Sequence, residues 1–332
     1  MEAFIKAISY YLPEKIVTNE QLVQDFPEWS VDKIAKKIGI NERHIAAENE
    51  TAGDLAFKAA EKLILDNGID KTQIDFVLLC TQSPDYFLPS TSCIIQNRLG
   101  LSTKCGAFDF NLGCSGYEYG LAVAKSFLSS GIAKNVLLLT AETYNKHIHP
   151  RDKGNRTIFG DGAAASLIST EGFAKIGEFI LGTDGSGYDK LILKTGGLRH
   201  FQQINDYHED EDGTPLSSDY LFMDGKAIFD FTSDIVPTMI NETLIKNDLT
   251  MEDINLFVFH QANKYMINFL RKLMAIDKDK FYIFMDNVGN TVSSTIPIAL
   301  CEALKEDRLH GNIVLAGFGV GLSYGATIIN CK

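Results

Sequence analysis

The chain is expected to fold as a layered α/β protein built from two similar halves, and three observations point there. Short runs rich in Val, Ile, Leu and Phe hand over repeatedly to segments of helical period. The order of these elements restarts after Gly172. Reactive residue types stand where three of the apolar runs end, at Cys114, His260 and Asn290. With 332 residues and 45% hydrophobic content, the chain can fill such a core.

The first half, 1–172, opens on strand Phe4 to Tyr10, followed by helices Gln21 to Asp25 and Ala52 to Asn67. Strand Phe76 to Cys80, helix Ser90 to Leu99, strand Ala107 to Asn111 and helix Cys114 to Gly131 come next, then strands Val136 to Thr140 and Ala163 to Ile168. In the second half, 173–332, strand Lys175 to Gly182 answers the opening strand and helix Ala227 to Lys246 answers Ala52 to Asn67. Strand Leu256 to Phe259 answers Phe76 to Cys80, and a helix Lys264 to Ala275 follows it. Strand Tyr282 to Met285 answers Ala107 to Asn111, with Asn290 standing where Cys114 stood before its helix. A helix containing Pro297 to Leu304 and strands Ile313 to Ala316 and Ala326 to Ile329 complete the series. The strands, nearly continuous in apolar residues, read as parallel and buried on both faces, with helices outside and shared helices between the halves. Arg199 to Tyr220, with its acidic run Glu209 to Asp212, reads as a mobile surface loop or a lid over a site entrance.

Composition narrows the function. The net charge of −12 argues against nucleic acid, whose phosphates are neutralised by Lys and Arg. The opening residues lack the basic start, apolar run and cleavage site of a secretory signal, and no run approaches the ~18 apolar residues of a membrane span. A cytoplasmic protein with no membrane partner is expected. Its six cysteines, at 80, 93, 105, 114, 301 and 331, have no paired zinc spacing and are expected to be reduced. His147 and His149 are the nearest thing to a metal pair, but no further ligand stands at suitable spacing, so no metal is expected.

Cys114 follows a strand pattern, is flanked by Gly113 and Gly116, and runs directly into a helix. A thiol at a helix N-terminus sits among unpaired backbone N–H groups at the positive end of the dipole, which lowers its pKa and makes it a nucleophile. The alternative is a buried structural cysteine. His260, ending the apolar run Leu256 to Phe259, and Asn290, in the Gly-containing turn after Phe281 to Met285, have bland readings as a structural hydrogen-bonder and a turn residue. Ligands of α/β proteins bind beyond the carboxyl ends of strands, so the three together point to one site. The helix after His260 carries Lys264, Arg271 and Lys272, either a docking patch or an ordinary solvated face.

Several segments together resemble β-ketoacyl-acyl-carrier-protein synthase III. They are Asn-Leu-Gly-Cys114-Ser-Gly-Tyr, His260-Gln261-Ala262-Asn263, Gly289-Asn290-Thr291, Phe159 to Ala164, and the glycine-rich Gly317 to Gly325, with Tyr11-Leu12-Pro13 and Gly39 to Ala47 as further matches. The resemblance covers nearly the whole chain. It implies the thiolase fold, a layered αβαβα arrangement of two pseudo-duplicated halves, and a homodimer. It further implies that Cys114 accepts an acyl group from a thioester of coenzyme A or acyl carrier protein and that malonyl-acyl carrier protein then condenses with it. His260 and Asn290 would donate hydrogen bonds to the malonyl carbonyl as carbon dioxide leaves, and backbone N–H groups of Cys114 and Val320 would hold the tetrahedral oxyanion. By the same resemblance Lys37, Lys153, Arg156, Gly225 and Asn263 would hold the phosphopantetheine or coenzyme A, Phe87 and Leu88 would shape the acyl pocket, and Lys264, Arg271 and Lys272 would meet acyl carrier protein. No permanently bound cofactor is implied.

Some positions depart from the family. Lys33, Lys37 and Lys153 stand where initiating members carry a tryptophan and arginines for the coenzyme A adenine, and lysine has no flat stacking fork. Trp29 stands four residues upstream of Lys33, and Arg156 is within reach of a phosphate. Val320 replaces a glycine, and Leu88 a phenylalanine. An acyl-carrier-protein donor and a specialised product therefore stand beside coenzyme A and fatty-acid initiation. The runner-up within the superfamily is a non-decarboxylating acyltransferase passing the acyl group from Cys114 to an oxygen or nitrogen nucleophile. A papain-like Cys-His-Asn hydrolase is disfavoured by the α/β pattern preceding Cys114, a dinucleotide loop at Gly317-Gly319-Gly321 by its spacing, and a subunit without turnover by retention of all three residues.

Overall fold

The computed structural model describes residues 2–211 and 213–331; Asp212 of the acidic run lies outside them. Nine strands make the main sheet: β1 (Phe4–Tyr11), β2 (Phe76–Cys80), β3 (Gly106–Phe110), β4 (Asn135–Glu142), β5 (Gly162–Ser169), β6 (Ala174–Thr183), β7 (Ile254–Phe259), β8 (Gly311–Gly319) and β9 (Ser323–Cys331). Their order is β7-β8-β9-β6-β1-β5-β4-β2-β3. Strands from 4–169 occupy one end of that order and strands from 174–331 the other. Among the described residues, the strands of the two groups pair through Phe4 with Lys175 and Ile5 with Ala174 on β1 and β6, so they form two sub-sheets joined at an edge.

Besides the short α1 (Asn19–Asp25), α2 (Val31–Ile38) and α6 (Lys153–Ile158), helices cover both sub-sheets and fill the space between them. Helix α3 (Ala52–Asn67) packs on β1, β4 and β5, and α4 (Thr91–Arg98) on β2 and β3. Helix α7 (Gly225–Lys246) packs on β6, β8 and β9, with α8 (Lys264–Leu273) against it. Helix α5 (Gly116–Ser129) touches β2, β4 and β5 as well as β6, β8 and β9, and α9 (Thr295–Lys305) touches β1, β5 and β7. These two form the central layer, which explains why α9 is buried at Thr295 to Cys301 without a break. Outer helices instead bury one stripe: α8 hides Met266, Ile267 and Leu270 and turns Lys264, Tyr265 and Lys272 outward.

Two expectations change. The sheet is mixed, with β1, β5, β6 and β9 antiparallel to their neighbours. The expected strand Tyr282 to Met285 is absent as a strand; a single bridge links Phe281 to Phe257. The reason is Gln261, whose side chain takes the Phe284 N–H at 2.8 Å and donates to the Phe259 carbonyl at 2.6 Å, replacing the ladder bonds a fifth strand would make.

Among the described residues, no helix is long and apolar enough to cross a membrane. The segment 199–220 contains a short pairing of His208–Glu209 with Pro215–Leu216, and it contributes a wall to a cavity described next.

Candidate active site

Cys114, His260 and Asn290 line one inner cavity of about 120 Å³. Each is nearly hidden, at 7%, 2% and 4% exposure. His260 continues β7 by one residue, its N–H donating to the Ala316 carbonyl at 2.8 Å, so the strand register aims the ring at the neighbouring strand's end. Cys114 lies two residues before α5, where Ser115 is the N-cap. Asn290 lies five residues before α9, separated from it by a short turn at Val292–Ser294, so its placement differs from that of Cys114.

The glycine-rich loop closes over the sulfur. A Cβ on Gly319 would lie 2.8 Å from Cys114 Sγ, and one on Gly317 would lie 2.6 Å from the Cys114 carbonyl oxygen, so only glycine permits this approach. Val320 takes its place beside the same loop: its Cγ1 lies over Gly113, 2.4 Å from where a Cβ there would be.

Electrostatics correct the expected low thiol pKa. Burial pushes the Cys114 thiol up to about 12, while backbone N–H groups of Val320 and of Cys114 itself pull the other way. Desolvation therefore outweighs the helix end. Burial likewise lowers His260 to about 3, leaving a neutral imidazole at neutral pH. Two carboxyls stand behind the nucleophile, Glu142 and Glu118, both fully buried; burial raises Glu142 to about 8 and Glu118 well above the ordinary range. Glu142 accepts from the Gln82 N–H at 3.0 Å and from Ser83 Oγ at 3.1 Å. Neither carboxyl was singled out from the sequence, where each reads as an ordinary helix or strand residue.

A larger outer cavity of about 470 Å³ adjoins the inner one, sharing Ile158, Met223 and Gly225 with it. Lys37, Lys153 and Trp29 line the outer cavity, Asn263 lines the inner one, and Gly225 lines both. Lys153 pairs with Glu28 at 3.1 Å, and Asn263 Oδ1 caps α8 by accepting from the Met266 N–H at 2.9 Å. Lys33 sits over the Trp29 ring, 5.1 Å from its centroid. Asp210 and Thr214 to Ser217 supply a wall, which gives the acidic segment a place at the entrance.

Other expected site residues lie elsewhere. Arg156 pairs with Asp25 at 2.9 Å, donates to the Pro150 carbonyl, and faces a separate cavity with Lys15 and Arg43. Phe87 and Leu88 are 69% and 75% exposed and touch neither cavity; their loop is anchored by Asp85, which accepts from Gly53 N–H and donates its own N–H to Thr91, turning the tip outward. Arg271 donates to the Ile276 carbonyl at 2.8 Å, tying down the chain after α8, which separates it from the exposed Lys264 and Lys272. His149 packs against Tyr207 and Tyr220, and among the described residues no group of three His, Cys, Asp or Glu is placed to hold a metal ion. Apart from Thr232, the rest of the inner wall is apolar, and residues such as Leu191 and Ile228 carry no signal in sequence that separates them from core.

Comparison with known proteins agrees with this architecture. Residues 108–185 match the family model of 3-oxoacyl-[acyl-carrier-protein] synthase III, and residues 244–331 the model of its C-terminal part. The chain is 38% identical over 322 residues to a β-ketoacyl-[acyl-carrier-protein] synthase III of Clostridium perfringens, covering 96% of each, and 36% identical to that of Caldanaerobacter subterraneus, covering 96% of this chain and 95% of the other. A solved 3-oxoacyl-(acyl-carrier-protein) synthase III superposes with a TM-score of 0.96 at 44% identity, covering 99% of this chain and 100% of that one. The corresponding synthase of Burkholderia xenovorans superposes at 0.91 and 33% identity, covering 100% and 95%. The two sub-sheets with helices outside and between them are the αβαβα layers of the thiolase fold, and the chain belongs to the 3-oxoacyl-[acyl-carrier-protein] synthase III family.

Proposed function

We propose that this protein is an acyltransferase of the condensing type, joining an acyl group to malonyl-acyl carrier protein by decarboxylative Claisen condensation. The observation that carries the reading is the meeting of Cys114, His260 and Asn290 on one buried cavity that adjoins an outer cavity. The Cys114 sulfur attacks the carbonyl carbon of an acyl thioester and the carrier thiol leaves, giving an acyl-enzyme. Malonyl thioester then loses carbon dioxide, and the electron pair of the broken bond becomes an enolate. Its oxygen receives hydrogen bonds from His260 and Asn290. The enolate carbon attacks the acyl carbonyl, backbone N–H groups of Cys114 and Val320 hold the oxyanion, and the sulfur departs as thiolate and regains a proton. That role for Val320 is supported by its backbone N–H, which pulls the Cys114 thiol pKa down.

Lys37, Lys153, Trp29, Gly225 and Asn263 line the path for the phosphopantetheine arm of coenzyme A or acyl carrier protein, and Lys264 and Lys272 face an incoming carrier protein. No permanent cofactor is assigned. The exposed tip Tyr86, Phe87 and Leu88 is the surface that a homodimer would cover. We place the two halves at 1–172 and 173–332 and the enzyme in the cytoplasm. Transfer to an oxygen or nitrogen nucleophile without decarboxylation gives Asn290 no enolate to hold, and condensation is preferred.

The test is intact-protein mass spectrometry after exposure to acyl-CoA and acyl-carrier-protein thioesters, then malonyl-acyl carrier protein, with Cys114→Ala as control. Condensation requires a Cys114-dependent adduct that disappears as a β-ketoacyl product forms. An adduct that persists in the presence of malonyl-acyl carrier protein refutes it.

A further inference from the structure

Asn290 and His260 are tied into one circuit of short polar contacts. Asn290 Oδ1 accepts from the Val292 N–H at 2.9 Å, and Asn290 Nδ2 donates to the Ala262 carbonyl at 3.3 Å. The Ala262 N–H returns to the His260 carbonyl at 2.9 Å. From the His260 ring, Nδ1 lies 2.7 Å from Thr295 Oγ1, which also lies 3.0 Å from the Val292 carbonyl oxygen, so the one hydroxyl hydrogen of Thr295 can serve either. Every member but Ala262 is buried. The circuit turns at Val292, a β-branched residue at φ +56°, in the left-handed region where such residues are strained. That conformation lets one residue send its N–H to Asn290 and its carbonyl to Thr295.

The circuit has chemical consequences for both side chains. With Oδ1 occupied by a backbone donor, Asn290 turns its amide nitrogen side to its other neighbours, and of two N–H groups only one is taken by Ala262. When the Thr295 hydroxyl hydrogen goes to Nδ1, the neutral ring carries its own hydrogen on Nε2, the ring nitrogen left for the cavity. Resting on the function proposed above, we infer that Thr295 is a positioning residue for decarboxylation: its hydroxyl, donating to Nδ1, holds His260 in the tautomer whose Nε2–H reaches the same oxygen as the Asn290 amide. Cys114 is outside the circuit, and its acylation does not depend on it.

The test uses the full-length Thr295→Val variant, which keeps the shape and removes the hydroxyl, beside Thr295→Ser, which keeps the hydroxyl. Two steps are read separately: formation of the Cys114 acyl adduct by mass spectrometry, and carbon dioxide release from malonyl-acyl carrier protein. Thr295→Val should acylate within about threefold of the parent and release carbon dioxide about 10- to 100-fold more slowly, with Thr295→Ser restoring most of it. The inference is overturned if Thr295→Val releases carbon dioxide at the parental rate. It is equally overturned if adduct formation, carbon dioxide release and thermal midpoint fall together, since that is a structural role. Failure of the parent protein itself to release carbon dioxide would instead sink the condensation reading.

Discussion

Adding one methyl group at Gly319 should disable the nucleophile while sparing the fold. The Cβ would lie 2.8 Å from Cys114 Sγ and 2.9 Å from Cys114 Cβ. Ordinary contact distances are about 3.5–4.0 Å, so the overlap is about 0.7–1.2 Å on two atoms at once. Neither partner has room to retreat, because Cys114 is buried and Gly319 is the last residue of β8, paired with Ser323 of β9. Overpacking of this kind costs about 1–3 kcal/mol, a loss of a few degrees in thermal midpoint for a chain of this size. The effect on chemistry is larger, since displacing a reacting atom by about 1 Å costs on the order of 100-fold. Gly319→Ala should therefore form the acyl adduct about 100-fold more slowly in a mass-spectrometric time course while still melting cooperatively. Gly197→Ala, where a Cβ would meet open space, is the matched control. Adduct formation by Gly319→Ala within about threefold of the parent would refute the close-approach argument.

Stability should fall as pH rises from 7 to 8. Glu142, raised to about 8, and Glu118, raised well above the ordinary carboxylate range, keep their protons in the folded chain and lose them in the unfolded one, so the unfolded state binds fewer protons across this interval. The histidines, lowered by burial, oppose this only below about pH 6.5, and the expected loss in urea titrations is about 1–2 kcal/mol; a flat or rising profile contradicts it. Charging the exposed tip with Phe87→Asp and Leu88→Asp should shift the protein from dimer to monomer in light scattering, and an unchanged mass would show that this tip is not the interface. Lys37→Glu should raise the KM for an acyl-CoA several-fold yet leave acyl-pantetheine unaffected; equal effects on both would mean that Lys37 does not face the nucleotide.

What the sequence revealed follows from which interactions are local. Strand Phe76–Cys80 and helix Ala52–Asn67 were readable to the residue because apolar period and the Thr51 and Gly68 boundaries are both written in neighbouring positions. The false strand at Tyr282 had the right apolar run, but a side chain 21 residues upstream, Gln261, claimed its backbone. Cys114 and His260 were legible from strand ends, since parallel β2, β3 and β4 and parallel β7 and β8 deliver their carboxyl ends to common sides, whereas Asn290 reaches the cavity from a turn that follows no strand. The cationic residues were not. Arg156 and Arg271 are spent on Asp25 and on the Ile276 carbonyl, partners that spacing alone does not reveal. Phe87 and Leu88 lie away from both cavities of this chain, and sequence could not place them because their apolar character fits a pocket or an exposed interface equally well.

The thiol pKa shows the same limit in energetic form. A helix end is visible in sequence, but the depth at which it is buried is not, and desolvation at Cys114 exceeds what backbone N–H groups return. The result is a site whose resident groups are neutral: thiol, imidazole, amide and carboxyls held protonated by burial. Such a site suits a reaction whose negative charge moves from sulfur to enolate oxygen to tetrahedral oxygen, because fixed N–H dipoles meet each in turn with little water to reorganise. It also explains why Glu142 and Glu118 are tolerated behind the nucleophile. Ionised, either would raise the thiol further by like-charge repulsion; neutral, both fill space without opposing the thiolate, and Glu142 accepts hydrogen bonds from Gln82 and Ser83. The ionisation that weakens the fold above neutral pH therefore also works against the nucleophile, and the two effects share one cause.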